Sequence, residues 1–347
     1  MYKKYLWISH SAINTFDRCP QAYYYQYQYK NPETGNRIQI VNPYFSLGLS
    51  VHQAIEELSS MSVEERLEVS LKDRFEEIWS GYSGRQGGFI SEKQEKEFKD
   101  RGEMMIDRVV NSDFLEKPAT EIKETVPSID LIPKEDIKLV GSLDWIRVID
   151  DNSYHIIDFK TGKNKESKKS LQLPIYNILA NKKLDGEVKK FSYWYLNSED
   201  ELTSRELGSI EESMEIIKEK ALEIKNHVEN NDYPCHYNGK CFACGDYHRI
   251  FNGQAEFLGT DKDSGKDLYF VLKEDDVVRK LIDNEIFDQK EEKIFELRMD
   301  GKRVESIKKE LRLKDEKIEK ITESIKKKMI EELSPKEVRL LVNKKLK

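Results

Sequence analysis

The amino-acid sequence predicts an α/β core followed by an all-α C-terminal domain, and three observations carry that expectation. Two apolar runs, Leu139 to Val148 and Tyr154 to Phe159, flank the turn-forming Asp150-Asp151-Asn152-Ser153 and read as a β-hairpin. Segments before and after it, SLGLSVHQAIEEL and SLQLPIYNILA, repeat apolar residues at helical spacing. From Glu285 onward the spacing predicts helices without an intervening strand.

A hairpin centred at Asp151 places Asp144 opposite Asp158, Ile146 opposite Ile156 and Val148 opposite Tyr154, with Lys160 two residues beyond Asp158 on the same face. Carboxylates directly across a strand pair repel, so the arrangement calls for a cation, and oxygen ligands suit Mg2+ or Mn2+. A solvated surface hairpin is the competing reading. Against it, Leu143, Trp145, Ile157 and Phe159 make one face apolar and Ile146, Val148 and Ile156 the other, as in an inner strand covered on both sides.

The first helix, with Leu49, Ala54, Ile55 and Leu58 inward, carries Gly48, His52 and Glu56 at intervals of four, so His52 and Glu56 share a face. The second carries Gln172 and Tyr176 four apart, and Pro174 confines its start because proline is tolerated only in a first turn.

Taken in order, His52, Asp144, Asp158-Phe159-Lys160 and Gln172-x-x-x-Tyr176 resemble the RecB-like branch of the PD-(D/E)XK nucleases over about residues 5 to 250. That branch includes AddB-type helicase-nuclease subunits and the CRISPR-associated adaptation nucleases with four cysteines. The resemblance implies a restriction-endonuclease-like core, a central mixed sheet flanked by helices. It implies that His52, Asp144, Asp158 and the Phe159 carbonyl bind metal and that Lys160 positions or activates the attacking water. Gln172 and Tyr176 would contact DNA near the cleavage point, and Glu56 would support the site. The chemistry agrees: bound divalent metal generates hydroxide and stabilises charge on an in-line phosphoryl transition state. There is no nucleophile elbow and no phosphate-binding GxxxxGK[ST] loop; the nearest approach, Ser264 to Asp267, lacks its first glycine. Any helicase or recombination motor must be a partner in trans.

The four cysteines are Cys19, Cys235, Cys241 and Cys244. So few, in a long chain without a signal peptide, predict metal ligation over a disulfide framework. One cysteine near the N-terminus and three beyond the catalytic helices resemble the iron-sulfur RecB-like nucleases, which implies a structural 4Fe-4S cluster. The spacing of five and then two intervening residues is not the two-then-five order of several relatives. Zinc held by Cys235, Cys241, Cys244 and His248, with His236 as a further donor and Cys19 free, is the alternative.

No apolar run approaches the roughly 18 residues needed to span a bilayer, which predicts no membrane partner and a cytoplasmic protein, in the host cytoplasm if viral. The formal net charge of -7 hides a split. Residues 301–347 hold 16 Lys or Arg against 9 Asp or Glu, or +7, leaving -14 on the first 300. A second basic cluster, Lys160, Lys163, Lys165, Lys168 and Lys169, follows the active-site strand, where a phosphate backbone would pass.

The tail predicts three helices: one through Phe287, Ile294 and Leu297, one with Val304, Ile307 and Leu311, and one with Ile318, Ile321, Ile325 and Met329. Its pattern resembles the helix-turn-helix of sigma-factor region four, with Asp315 as cap and Lys317, Lys320, Lys326, Lys327 and Lys328 as positive groups. A plain helical bundle for protein contacts is the competing reading. Residues 251–284 read as a connector with a small hairpin, separating a nuclease domain, 1–250, from a basic helical domain, 285–347. Tyr23 and Tyr27 share a helical face with Phe16 and Cys19, which favours packing around the cysteines over base stacking. The expected function is a metal-dependent deoxyribonuclease, an exonuclease on single-stranded or end-frayed DNA in replication, recombination or repair. A DNA-binding scaffold or a structure-specific endonuclease are the alternatives.

Overall fold

The computed structural model describes residues 5–124, 126–239 and 241–345. Its strands in chain order are β1 (Leu6–Ile8), β2 (Ile38–Val41), β3 (Ala119–Thr120), β4 (Ser128–Ile132), β5 (Ile137–Val140), β6 (Trp145–Asp150), β7 (Ser153–Lys160), β8 (Glu187–Tyr195), β9 (Thr203–Ser204), β10 (Ala255–Thr260) and β11 (Asp267–Val271). The central sheet runs β3-β6-β7-β8-β9. β6 and β7 are antiparallel, with Ile146 opposite Ile156 and Val148 opposite Tyr154, the register expected from a turn at Asp151. β7 and β8 are parallel, which requires a crossover, and the helix Gln172–Lys183 supplies it. Pro174 lies in the first turn of that helix, where its missing N–H removes no internal bond.

Both faces of β7 are covered. Ile156 joins Leu173, Leu179 and Tyr176 of the crossover helix, with Ile13 and Ala221 from the helices His10–Arg18 and Ile210–Asn230. Ile157 and Phe159 face the other way, onto Val51, Phe75 and Met105 from the helices Pro43–Glu56, Leu71–Ser80 and Glu92–Val110. The result is the α/β sandwich with a mixed central sheet that the sequence predicts.

The apolar run Leu139 to Val148 is not one strand. β5 belongs to a small sheet of order β1-β5-β4, and the chain breaks at residues 141–144 before β6 enters the central sheet. Gly141 presses on the crossover helix so closely that a Cβ there would lie 2.9 Å from Leu179 Cδ1. Leu143, outside the strand, packs on the crossover-helix side and does not share the Trp145 face.

Buried Arg66 binds this half of the molecule without a carboxylate. It donates to the backbone carbonyls of Leu58, Met61, Leu115 and Lys117, and its guanidinium lies 4.8 Å from the centroid of a Trp145 ring.

Residues 255–271 form the expected hairpin, β10 with β11, but β11 also pairs parallel with β2. Buried Asp267 fastens this junction by accepting from Asn31 Nδ2, Thr34 Oγ1, Asn36 Nδ2 and Thr260 Oγ1. Phe270 and Leu272 then share a core with Val277 and Leu281 of the helix Glu274–Asp283 and with Ile294, Ile307 and Ile325 of the tail. The three tail helices lie at Gln289–Met299, Val304–Leu311 and Asp315–Glu332, and a fourth, Pro335–Lys345, follows. Asp315 does not cap the third; it is the first helical residue, and Lys314 holds the cap position. Lys328 is paired with buried Glu291 at 2.6 Å, and so is not an unengaged lysine of this helix. No helix among the described residues is long and apolar enough to cross a membrane.

Candidate active site and cysteine centre

Asn42 accepts a hydrogen bond from the Phe45 N–H and Pro43 opens the following helix, so its start is fixed from both sides of the cap. Three turns on, His52 Nδ1 lies 2.7 Å from Glu56 Oε1 and 3.3 Å from Asp144 Oδ2. Asp144 stands at the chain break before β6, and its Oδ2 accepts the Phe159 N–H at 2.8 Å.

Asp158, 1% exposed, accepts from Gln172 Nε2 at 2.6 Å through Oδ1. Its Oδ2 has no hydrogen bond of good geometry, although Lys160 Nζ is an ion-pair partner at 2.8 Å. Lys160 donates to Gln172 Oε1 at 2.5 Å, and Gln172 Nε2 also reaches Tyr176 Oη at 3.1 Å. Strand alternation and a helical spacing of four therefore bring His52, Glu56, Asp144, Asp158, Lys160, Gln172 and Tyr176 to one end of β7. The sequence reading did not single out Glu166, 3.6 Å from Lys160, because it lies in a lysine-rich loop with no periodic signal.

These groups are strongly coupled. Burial raises Asp158 to about 7, with the Asp144 charge adding to it, while Lys160 opposes. Burial likewise raises Asp144 to about 6. Burial disfavours a charged His52, but Asp144, Glu56 and Asp158 outweigh it and hold the imidazole up at about 9. Lys160 is raised in the same manner, burial being overcome chiefly by Asp158. Burial disfavours the charged form of both acids, a cost that a bound cation would offset.

The donor chemistry fits a divalent ion. His52, Glu56 and Asp144 each offer a ligand atom within 4.8 Å of the others, and buried Asp158 Oδ2 has only the Lys160 ammonium as partner. Glu56, expected only to support the site, thus stands in the donor group itself. A bound divalent ion supplies positive charge for the phosphoryl oxygens and acidifies water. Lys160 and Gln172 meanwhile hold Asp158 in place from the protein side.

Around the site, Lys163, Lys168 and Lys169 are exposed, whereas Lys165 is paired with Glu199 at 2.5 Å. In the tail, Lys317 and Lys320 are exposed on the third helix.

The four cysteines converge, with their sulfurs within 4.8 Å of one another. None forms a disulfide; Cys241 Sγ lies 3.2 Å from Cys244 Sγ, which lies 3.6 Å from Cys235 Sγ. Gly239, with φ of +79°, makes the turn between them, and its missing Cβ leaves room for His248, whose Nε2 would lie 2.6 Å from one. His248 Nε2 is 3.0 Å from Gln21 Oε1, so Cys19 and not His248 completes the group of four. Burial opposes ionisation of Cys235, yet the Tyr237 and Gly239 N–H groups and the neighbouring thiols bring it down to about 6. Burial and the thiols of Cys241, Cys235 and Cys19 push Cys244 up. Four crowded sulfurs that cannot all ionise unaided fit a thiophilic metal centre.

Tyr25 packs beside this centre, with ring centroids 5.3 Å from Tyr247 and 5.0 Å from Phe251. Tyr23 and Tyr27 were expected there, but they stack on each other at 5.1 Å, and Tyr23 belongs to the main core. Cys19 is extended between the helices His10–Arg18 and Pro20–Tyr23, so no continuous helical face carries Phe16, Cys19 and Tyr23, and the π-helical turn Tyr24–Gln28 shifts Tyr27 further.

An α/β core with buried acids, a lysine two residues after one of them and a helical His-Glu pair defines a metal-dependent phosphodiesterase. The model of the PD-(D/E)XK nuclease superfamily matches residues 7–249, and the chain belongs to that superfamily. It is accordingly a hydrolytic nuclease that uses divalent metal and has DNA as its substrate. A search of curated proteins finds no significant match.

Proposed function

We propose that the protein is a Mg2+- or Mn2+-dependent exonuclease on single-stranded or end-frayed DNA, serving replication, recombination or repair. The observation that carries this is the junction of the His52–Glu56–Asp144 donor group with the Asp158–Lys160–Gln172 bonds at one end of β7. In this reading His52, Glu56, Asp144, Asp158 and the Phe159 carbonyl hold the ion and Lys160 orients the attacking water. Gln172 and Tyr176 contact the strand near the scissile phosphate, and Lys163 binds backbone. The four thiolates hold a structural 4Fe-4S cluster, for which zinc is the alternative.

Residues 1–250 form the nuclease unit, 251–284 a connector and 285–347 a DNA-binding unit in which Lys317 and Lys320 meet phosphate. The location is cytoplasmic, and strand separation comes from a helicase or recombination protein in trans. Digestion of end-labelled single- and double-stranded DNA with Mg2+, Mn2+ or EDTA tests the reading. Ladder-free release of short products from single strands, abolished by EDTA, is expected; cutting confined to internal or branched duplex sites would replace it with an endonuclease.

A further inference from the structure

The helix that carries His52 and Glu56 has an apolar face the core does not use. Leu47, Val51, Ala54 and Ile55 are buried, but Tyr44 is 62% exposed and Phe45 and Leu49 are each 36% exposed. Phe45, Leu49, His52 and Glu56 follow each other at four, three and four residues, and so share one stripe. Tyr44, Phe45, Gly48 and Leu49 line one cleft with His52 and Glu56. Three large apolar side chains left in water beside a hydrolytic site call for an occupant.

Charge distinguishes this helix face from the loop beside it. On the helix side Glu56 and Glu57 are acidic, which is unfavourable for phosphate. Beside it, a Cβ on Gly48 would sit 3.5 Å from Thr161 Oγ1, where the loop bearing exposed Lys163, Lys168 and Lys169 begins. Apolar side chains on the helix and ammonium groups on the loop that starts beside Gly48 match the two sides of an unpaired strand, bases and backbone. Tyr44 is also preorganised: it packs edge-on to Phe98 at 5.0 Å, with the Arg101 guanidinium 6.0 Å from its centroid.

We propose that Tyr44, Phe45 and Leu49 form a stacking platform for the bases of a single strand whose backbone runs along the 161–169 loop into the active site. This rests on the nuclease reading above. Seven residues of helix separate Phe45 from His52, about 10 Å at 1.5 Å per residue. At about 3.4 Å per stacked nucleotide, the platform engages bases roughly three nucleotides from the scissile phosphate. A duplex has no free base faces to offer it, so the platform discriminates in favour of unpaired ends.

The test is fluorescence anisotropy with labelled oligodeoxythymidine and a labelled blunt duplex, without divalent ions so that neither is cut. Phe45→Ala/Leu49→Ala is expected to weaken oligodeoxythymidine binding at least about tenfold, within the range of one or two lost base stacks. Duplex affinity should change less than about twofold. Phe45→Trp should bind the oligonucleotide at least as well as the unmodified protein, which also guards against a folding defect in the alanine variant. Equal weakening on both DNAs, or none on the single strand, would overturn the platform. So would conversion of a dimer to a monomer by Phe45→Ala in sedimentation, since a second protein copy would then cover the face. A protein that cuts no DNA yet loses single-strand binding on Phe45→Ala would sink the nuclease reading and leave the platform standing.

Discussion

Asp144 Oδ2 accepts the backbone N–H of Phe159, so the carboxylate before β6 is tied to the peptide that separates Asp158 from Lys160. This bond ties Asp144, which precedes β6, to the β7 backbone beside Asp158. Asp144 is held at the site by backbone, and Asp158 by Gln172 and Lys160.

Lys160→Ala and Asp158→Ala should each lower metal-dependent cleavage by at least about 10²-fold, the loss expected when a preorganised charge at the reacting centre is removed. Asp144→Asn should fall likewise. Single-turnover digestion with circular dichroism on the same samples checks this; unaltered rates in the first two variants would remove the site from the chemistry.

Metal affinity should rise with pH. Asp144 and Asp158, raised to about 6 and 7, are protonated below those values, and His52, raised to about 9, carries its proton throughout neutral pH. An entering ion must displace these protons, so Mn2+ binding should weaken as pH falls from 8 to 6, by about tenfold per unit for each proton released. Calorimetry in buffers of different ionisation enthalpy reads the proton count; zero protons released would contradict the ligand set.

Protein purified without oxygen should be brown and contain iron and acid-labile sulfide, and Cys19→Ser should lose both the colour and much of its thermal stability. Colourless protein holding zinc, with Cys19→Ser unaffected, would instead assign the metal to the remaining three cysteines and a histidine.

Lys317→Ala/Lys320→Ala should reduce the slope of log affinity against log salt by about 1.4 to 1.8, since each phosphate contact contributes about 0.7 to 0.9. Point substitution is preferred to truncation at residue 285, because the tail helices share their core with Phe270, Val277 and Leu281. An unchanged slope would reassign the tail to protein contacts.

Arg66→Leu should destabilise the fold by roughly 3 kcal/mol or more in urea melts, because it leaves buried carbonyls without donors at about 1–3 kcal/mol each. A change below about 1 kcal/mol would show that water replaces the guanidinium.

The hairpin was legible because Asp151 sits in a polar turn between two strand-forming runs, and period two then dictates every pair from Ile146–Ile156 outward. His52 with Glu56, and Gln172 with Tyr176, were legible because a helix repeats every four residues. The break at Gly141 was not, since glycine and serine inside an apolar run signal nothing about which sheet each half joins. Arg66 reads in sequence as one more charged helix residue; its burial depends on carbonyls from residues 58 to 117. The helix Pro335–Lys345 escaped notice because Ser334-Pro335 marks both an end and a beginning.

The sulfur group joins residue 19 to residues 235–244, which orders events on the ribosome. At about 5–20 residues per second, 225 residues of further synthesis separate Cys19 from Cys244. The first thiol therefore waits roughly 10–45 s for its last companion. His52, Asp144 and Lys160 all leave the tunnel inside that interval, before the clasp can close. Nascent chains thus pass through a window in which the nuclease residues are complete but the first helices are not yet fastened.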